Sequence, residues 1–148
     1  MTWLIYFIVS AGITLIFVPV RHWLRLWPAG FAGILLLYLI DSTLVGLGAY
    51  SYSHGLSILS GLPVLYLLSG YPQGIFLAYF YPEKRFRQLP YVMLMAAGLL
   101  VLEIITLFTG DFAHHQWNLA RSYLLDVFGL TVLSTLSRWF GGIGKEKA

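Results

Sequence analysis

The sequence predicts an all-α integral membrane protein, a bundle of five transmembrane helices with the N-terminus outside and the C-terminus inside. Of the 148 residues, 59% are hydrophobic and only 10% are charged, with a mean hydropathy of +0.79. Soluble domains carry about 25% charged residues. Five apolar segments approach the length of about 20 residues that a helix needs to cross a bilayer. With five crossings, eight of the nine Lys and Arg residues fall on one side, which marks that side as cytoplasmic.

The same composition excludes several functions. The chain has no cysteine, which rules out disulfides, thiolate metal sites, iron–sulfur clusters and cysteine nucleophiles. It has no P-loop, Gly-x-Ser-x-Gly or His-Glu-x-x-His motif, so nothing indicates ATP hydrolysis or serine hydrolase chemistry. No basic run is interleaved with aromatic residues, so no nucleic-acid partner is expected. We also expect no cofactor.

The first two helices are predicted on either side of a polar hinge. Helix one extends from Trp3 to Val18, ends at Pro19 and stays in the mature protein, because its basic residues follow the apolar core instead of preceding it. The hinge, residues 21–28, has the tryptophans and arginines of an interfacial belt. Helix two is predicted over residues 29–50.

Residues 56–81 are too long for one straight crossing. We expect an interfacial lead-in over 56–61 and a third helix over 62–81. A kink is predicted at Pro72, because proline removes a backbone donor. A short re-entrant segment is the alternative, and it would need cover from neighbouring helices.

The last two helices flank a polar loop. Residues 81–90 form the most charged stretch, helix four follows over 91–108, and helix five runs over 119–139 after the loop at 110–118. Residues 1–140 are thus predicted to be one transmembrane domain. Residues 141–148 form a cytoplasmic tail that is flexible by composition.

Three carboxylates share one predicted depth in the bilayer. Asp41, Glu103 and Asp126 lie about six to nine residues from the outer ends of helices two, four and five, which places them roughly 9–14 Å below the outer surface. Gln73 is expected to join them from helix three. Ionisable groups at such depth are costly, so they are candidates for a functional site.

Three further candidates lie at the start of helix five. Trp117 is an interfacial anchor or a site residue. Arg121 lies about 140° around the helix from Asp126, so we expect it to reach Asp111, Glu103 or a lipid phosphate instead. His115 and its neighbour His114 point apart on regular elements, and no metal site is predicted. Small and polar residues at helical spacing, Ser122, Asp126, Gly129, Leu133 and Ser137, direct Asp126 inward.

The second half of the chain resembles a family of small, uncharacterised multi-pass membrane proteins of spore-forming Firmicutes. The resemblance covers about residues 63–140. It rests on the order Tyr71-Pro72, Tyr81-Pro82-Glu83-Lys84, Glu103 in an apolar helix, His115-x-Trp117 and Arg138-Trp139. It implies a five-helix fold and a sporulating bacterial host, and it carries no activity with it.

Three functions are compatible with these features. The favoured one is a structural or interaction component of the bacterial cytoplasmic membrane, with the bilayer and a homo-oligomer or larger complex as partners. The first alternative is an outward-opening binding or transport module for a proton, a cation or a small polar solute. The second is an enzyme acting on a lipid or isoprenoid. A cavity between the carboxylates would favour binding or catalysis, whereas tight packing with every carboxylate hydrogen-bonded would favour the structural role.

Overall fold

A computed structural model describes residues 2–53, 57–59 and 61–140, with the backbone alone for residues 57–59. The chain is mostly helical, as the sequence predicts. Its helices are α1 Thr2–Phe17, α2 Val20–Gly46, α3 Val64–Phe80, α4 Arg85–Thr109 and α5 Leu119–Trp139. Four short strands join them: β1 Tyr50–Tyr52, β2 Ser57–Leu59, β3 Leu62–Pro63 and β4 Phe112–His114. The predicted tail at 141–148 lies outside the described residues.

Three of these helices are long and apolar enough to cross a membrane. They are α2, α4 and α5, with 27, 25 and 21 residues. Helices α1 and α3 are also apolar but have only 16 and 17 residues. The helical class is therefore confirmed, and length and composition agree with a membrane protein.

The predicted hinge at 21–28 is wrong, because α2 begins at Val20 and continues through Pro28. One face of this segment packs into the protein. Leu26 on that face is buried, and the Trp23 indole donates to the Val18 carbonyl at 3.2 Å. Likewise α4 begins at Arg85 instead of residue 91 and includes Pro90. Proline is tolerated within membrane helices when neighbouring groups satisfy the freed carbonyl.

The predicted end of helix two at residue 50 is also wrong, because the helix stops at Gly46. Gly48 has a φ of +73°, a left-handed conformation that glycine adopts without strain. It turns the chain into β1, which pairs antiparallel with β4. The lead-in predicted at 56–61 contains β2, which pairs with β3.

Helix α3 lies at the centre of the bundle, packed against α1 and α2, while α5 packs on α2 and α4 packs on α5. Glycines allow the α2–α3 backbones to approach closely, as small residues do in membrane proteins. A Cβ on Gly33 would lie 2.2 Å from the Gly70 carbonyl oxygen, and one on Gly74 would lie 2.3 Å from that of Ala29. Helix α3 is continuous through Pro72, and the kink there stays a prediction.

The bundle has two chemically distinct ends. At the strand end, where β1 pairs with β4, α1, α3 and α5 begin and α2 and α4 end. Aromatic residues fill it, with Trp3, Tyr50 and Phe112 in one buried cluster. At the basic end, the Arg138 guanidinium lies 4.9 Å from the centroid of the Tyr81 ring.

Candidate binding cavity

All three predicted carboxylates line one cavity near the strand end. Asp41 from α2, Glu103 from α4 and Asp126 from α5 border a space of about 70 Å³. One water needs on the order of 10–15 Å³ of such space, so several waters or a small ligand fit. The structure thus brings together three predicted site residues that are far apart in the chain.

Asp41 is buried, and two tyrosines satisfy its carboxylate. The Tyr50 hydroxyl donates to Oδ1, and the Tyr66 hydroxyl donates to Oδ2 at 2.8 Å. Burial, and then the neighbouring Asp41 charge, raise the pKa of Tyr50 above its usual value. Tyr50 therefore stays protonated and serves as a permanent donor to Asp41.

Glu103 is held by a chain of polar contacts. Its Oε1 accepts a hydrogen bond from Ser122 Oγ at 2.6 Å and lies 2.7 Å from His114 Nε2. The Trp117 indole donates in turn to Ser122 Oγ at 2.8 Å. Trp117 thus supports the site through Ser122, without touching the carboxylate itself.

Asp126 differs from the other two acids. It lines the cavity half-buried, and it makes no hydrogen bond or ion pair with any residue that the structure describes. It also borders a second cavity of about 110 Å³ deeper in the bundle, which is bounded mainly by leucines, a methionine and glycines. Asp126 therefore stands where a polar chamber meets an apolar one.

Gln73 borders both cavities from α3, as expected. Its amide nitrogen donates to Ser69 Oγ at 3.2 Å and to Ser10 Oγ at 3.3 Å. The bond to Ser10 ties α1 to α3, and the bond to Ser69 lies within α3. Together they fix the orientation of the Gln73 amide.

Three of the predicted site residues do not line the cavity: Trp117, which acts through Ser122, and also Arg121 and His115. The Arg121 guanidinium donates to the Gln116 carbonyl at 2.9 Å and lies 5.9 Å from the centroid of the Trp117 ring. Among the described residues it forms no ion pair with Asp126, in line with the helical-wheel argument. His115 Nε2 lies 2.8 Å from Ser51 Oγ at the exposed surface.

Sequence reasoning missed the aromatic lining of the cavity. The rings of Trp3, Tyr6, Tyr50, Tyr52 and Tyr66 border it, and none of these residues is among the predicted site residues. Spacing gave a signal: Trp3 and Tyr6 are three residues apart on one helix, and Tyr50 and Tyr52 are two apart on one strand. Such spacings put side chains on a common face.

His114 and Ser122 were also absent from the predicted site. Adjacent residues on a strand point to opposite faces, and the pairing of β4 with β1 turns His114 toward Glu103. In the described part of the chain, no group of three His, Asp or Glu residues could hold a metal ion.

Comparison with known proteins finds no matching family model, no matching curated protein and no matching solved structure. The resemblance to membrane proteins of spore-forming Firmicutes therefore stays a prediction. The cavity is the feature from which a function can be argued.

Proposed function

We propose that this chain is a multi-pass protein of the bacterial cytoplasmic membrane that binds a cation or a proton in an outward-opening cavity. The three carboxylates at the strand end form the polar part of that cavity. Binding or transport, in a homo-oligomer or larger complex, is favoured over a purely structural role. No feature of the described residues specifically favours the lipid or isoprenoid enzyme.

The proposal includes five crossings with the strand end outside. Helices α1 and α3 would measure about 24–26 Å at 1.5 Å per residue, slightly less than the ~30 Å hydrocarbon core. Local thinning of the bilayer accommodates such a difference. Most basic residues, including Arg21, Arg85 and Arg138, lie at or beyond the opposite end, which supports a cytoplasmic location for it. A bend of α3 at Pro72 belongs to the same proposal.

The observation that carries the proposal is the carboxyl group of Asp126. Removing a charged group from water, even in part, is costly unless the group is paired, and Asp126 is half-buried in the wall of the cavity. The fold supplies donors to Asp41 and Glu103 but none, within the described residues, to Asp126. A purely structural role predicts that all three would be satisfied by the protein. A bound cation or proton supplies what Asp126 lacks.

Cysteine labelling tests this proposal without background, because the natural chain contains no cysteine. Leu99 borders both cavities from α4. In intact bacterial cells, Leu99→Cys should react with a membrane-impermeant cationic thiosulfonate about tenfold or more faster than with an anionic one, because an acidic cleft concentrates cations. Asp126→Asn in the same background should reduce this ratio.

The matched control is Gly98→Cys. Gly98 is adjacent in the same helix at almost the same depth, and a Cβ there has no neighbour within 4 Å. Facing lipid, it should resist both reagents. Equal labelling of the two positions, or of Leu99→Cys by reagents of either charge, would contradict an outward-opening cation site.

A further inference from the structure

We propose that the ligand is a small primary alkylammonium ion. Its ammonium group would bind Asp126 among the aromatic rings of the outer cavity, and its alkyl chain would occupy the apolar inner cavity. This inference rests on the proposed cation-binding function and names the class of cation.

The aromatic lining favours an organic cation. Tryptophan and tyrosine faces attract cations, and the energy rises when the site is desolvated. Trp3, Tyr6 and Tyr52 come from two different elements, α1 and β1, yet they border the same cavity as the carboxylates. A site for a bare inorganic ion needs oxygen ligands instead of rings.

The hydrogen bonding of the cavity favours a primary ammonium group. Such a group has three N–H donors and no acceptor, so it suits a carboxylate that lacks donors. Asp126 is that carboxylate among the described residues. Asp41 already receives two tyrosine hydroxyls, and Glu103 receives Ser122. Because one of the three acids lacks a donor, we expect the ligand to carry one positively charged head group.

The geometry of the acids disfavours a metal ion. Calcium takes six to eight oxygen ligands and magnesium demands a near-octahedral set. In the residues that the structure describes, no three acidic or histidine side chains gather closely enough to hold a metal. The carboxylates surround the cavity without converging on one point, as suits a ligand of several atoms.

The inner cavity gives the ligand its apolar part. It has a volume of about 110 Å³, to be compared with the ~10–15 Å³ of such space that one water needs. Leu36, Ile40, Met95 and Leu133 border it, and Asp126 lies at its junction with the outer cavity. A short alkyl chain therefore extends from the ammonium group into apolar surroundings.

Calorimetric titration of the full-length protein in detergent micelles tests the inference. The probes are n-butylammonium, its neutral counterpart n-butanol, Na⁺ and K⁺, all at constant ionic strength. We expect saturable binding of n-butylammonium, with at least tenfold weaker binding of the other three. The alcohol keeps the chain and loses the charge, and the metal ions keep the charge and lose the chain.

Two pairs of variants locate the binding site. Asp126→Asn should weaken n-butylammonium binding at least tenfold, whereas Glu83→Gln, which removes one acid from an exposed loop, should not. Tyr6→Leu should weaken it about three- to thirtyfold through loss of the ring, whereas Tyr6→Phe, which keeps the ring, should bind within about twofold of the natural protein. Circular dichroism confirms that each variant remains folded.

Each of the remaining outcomes would contradict a specific part of the two proposals. Binding of Na⁺ or K⁺ without n-butylammonium would refute the alkylammonium ligand and leave the proposed cation site intact. Equal binding of n-butanol would show an apolar cavity only. Unchanged affinity in Asp126→Asn would place the ligand elsewhere. Absence of binding by every cation, together with charge-independent labelling of Leu99→Cys, would refute both proposals.

Discussion

The close approach of α2 and α3 predicts that Gly33→Ala will destabilise the protein. A Cβ on Gly33 would lie 2.2 Å from the Gly70 carbonyl oxygen. Both contacting groups belong to helix backbones, so no side chain can rotate to relieve the overlap. The two helices themselves must move apart.

The size of the effect follows from that distance. Ordinary van der Waals contact begins at 3.4 Å, so the backbones must separate by about 1.2 Å, the difference from 2.2 Å. Forcing extra volume into a packed interface typically costs about 1–3 kcal/mol. The gain in helix propensity from glycine to alanine is at most about 1 kcal/mol. We therefore expect a net loss of about 1–2 kcal/mol in the free energy of unfolding.

Unfolding of the purified protein in mixed micelles, followed by tryptophan fluorescence, measures this loss. Gly98→Ala is the matched control, because it is also inside a helix and its Cβ would have no neighbour within 4 Å. It should leave stability unchanged or slightly raised. A double variant, Gly33→Ala with Gly74→Ala, should lose less than the sum of the single losses, because one separation of the helices relieves both overlaps.

The result that would refute the reasoning is equal stability of Gly33→Ala and Gly98→Ala. In that case α2 and α3 would not meet through their glycine faces. The inner cavity, which Gly33, Gly70 and Gly74 border, would then need a different description as well.

Two further predictions concern the polar contacts of the cavity. Glu103→Gln keeps an acceptor for Ser122, so it should preserve folding while removing any dependence of binding on the Glu103 charge. Glu103→Leu leaves Ser122 and His114 without their partner and should cost about 1–3 kcal/mol of unfolding free energy. Equal stability of the two variants would contradict this. The pKa of Tyr50 is raised above 10.0 in the folded protein. Above about pH 10, the unfolded chain therefore loses this proton before the folded chain does. The free energy of unfolding should then fall by up to about 1.4 kcal/mol per pH unit for this group. Tyr50→Phe should show a shallower fall between about pH 10 and 12, and an unchanged slope would show that Tyr50 ionises normally.

Helix α5 shows how much the sequence can predict when local signals agree. Its observed bounds, Leu119–Trp139, are those that the sequence predicts. Asn118 supplies a side-chain acceptor for the Arg121 N–H at 2.9 Å, as N-terminal caps do. The small and polar stripe faces inward, with Ser122, Leu133 and Ser137 buried.

Helices α2 and α4 show why local signals mislead. The sequence predicts that helices two and four begin just after Pro28 and Pro90, because proline disfavours the helix interior. Both helices nevertheless continue through their prolines. In α2, packing overrides the preference, since Leu26 and Ala29 on either side of Pro28 are buried. The strands β1 and β4 are three residues each, too short to show a periodic pattern. Their pairing depends on contacts between residues about sixty positions apart, which no local pattern reveals.

For the site, the sequence predicts the depth of each acid along its helix but not the hydrogen-bond partners of the acid. Depth is set by the distance of an acid from its helix end, so the sequence could place three carboxylates in one layer. Partners are set by tertiary contacts: tyrosines for Asp41, and Ser122 with His114 for Glu103. Asp126 receives none in the described residues. The unequal supply of donors, more than the presence of three acids, is therefore what supports the proposed ligand at Asp126.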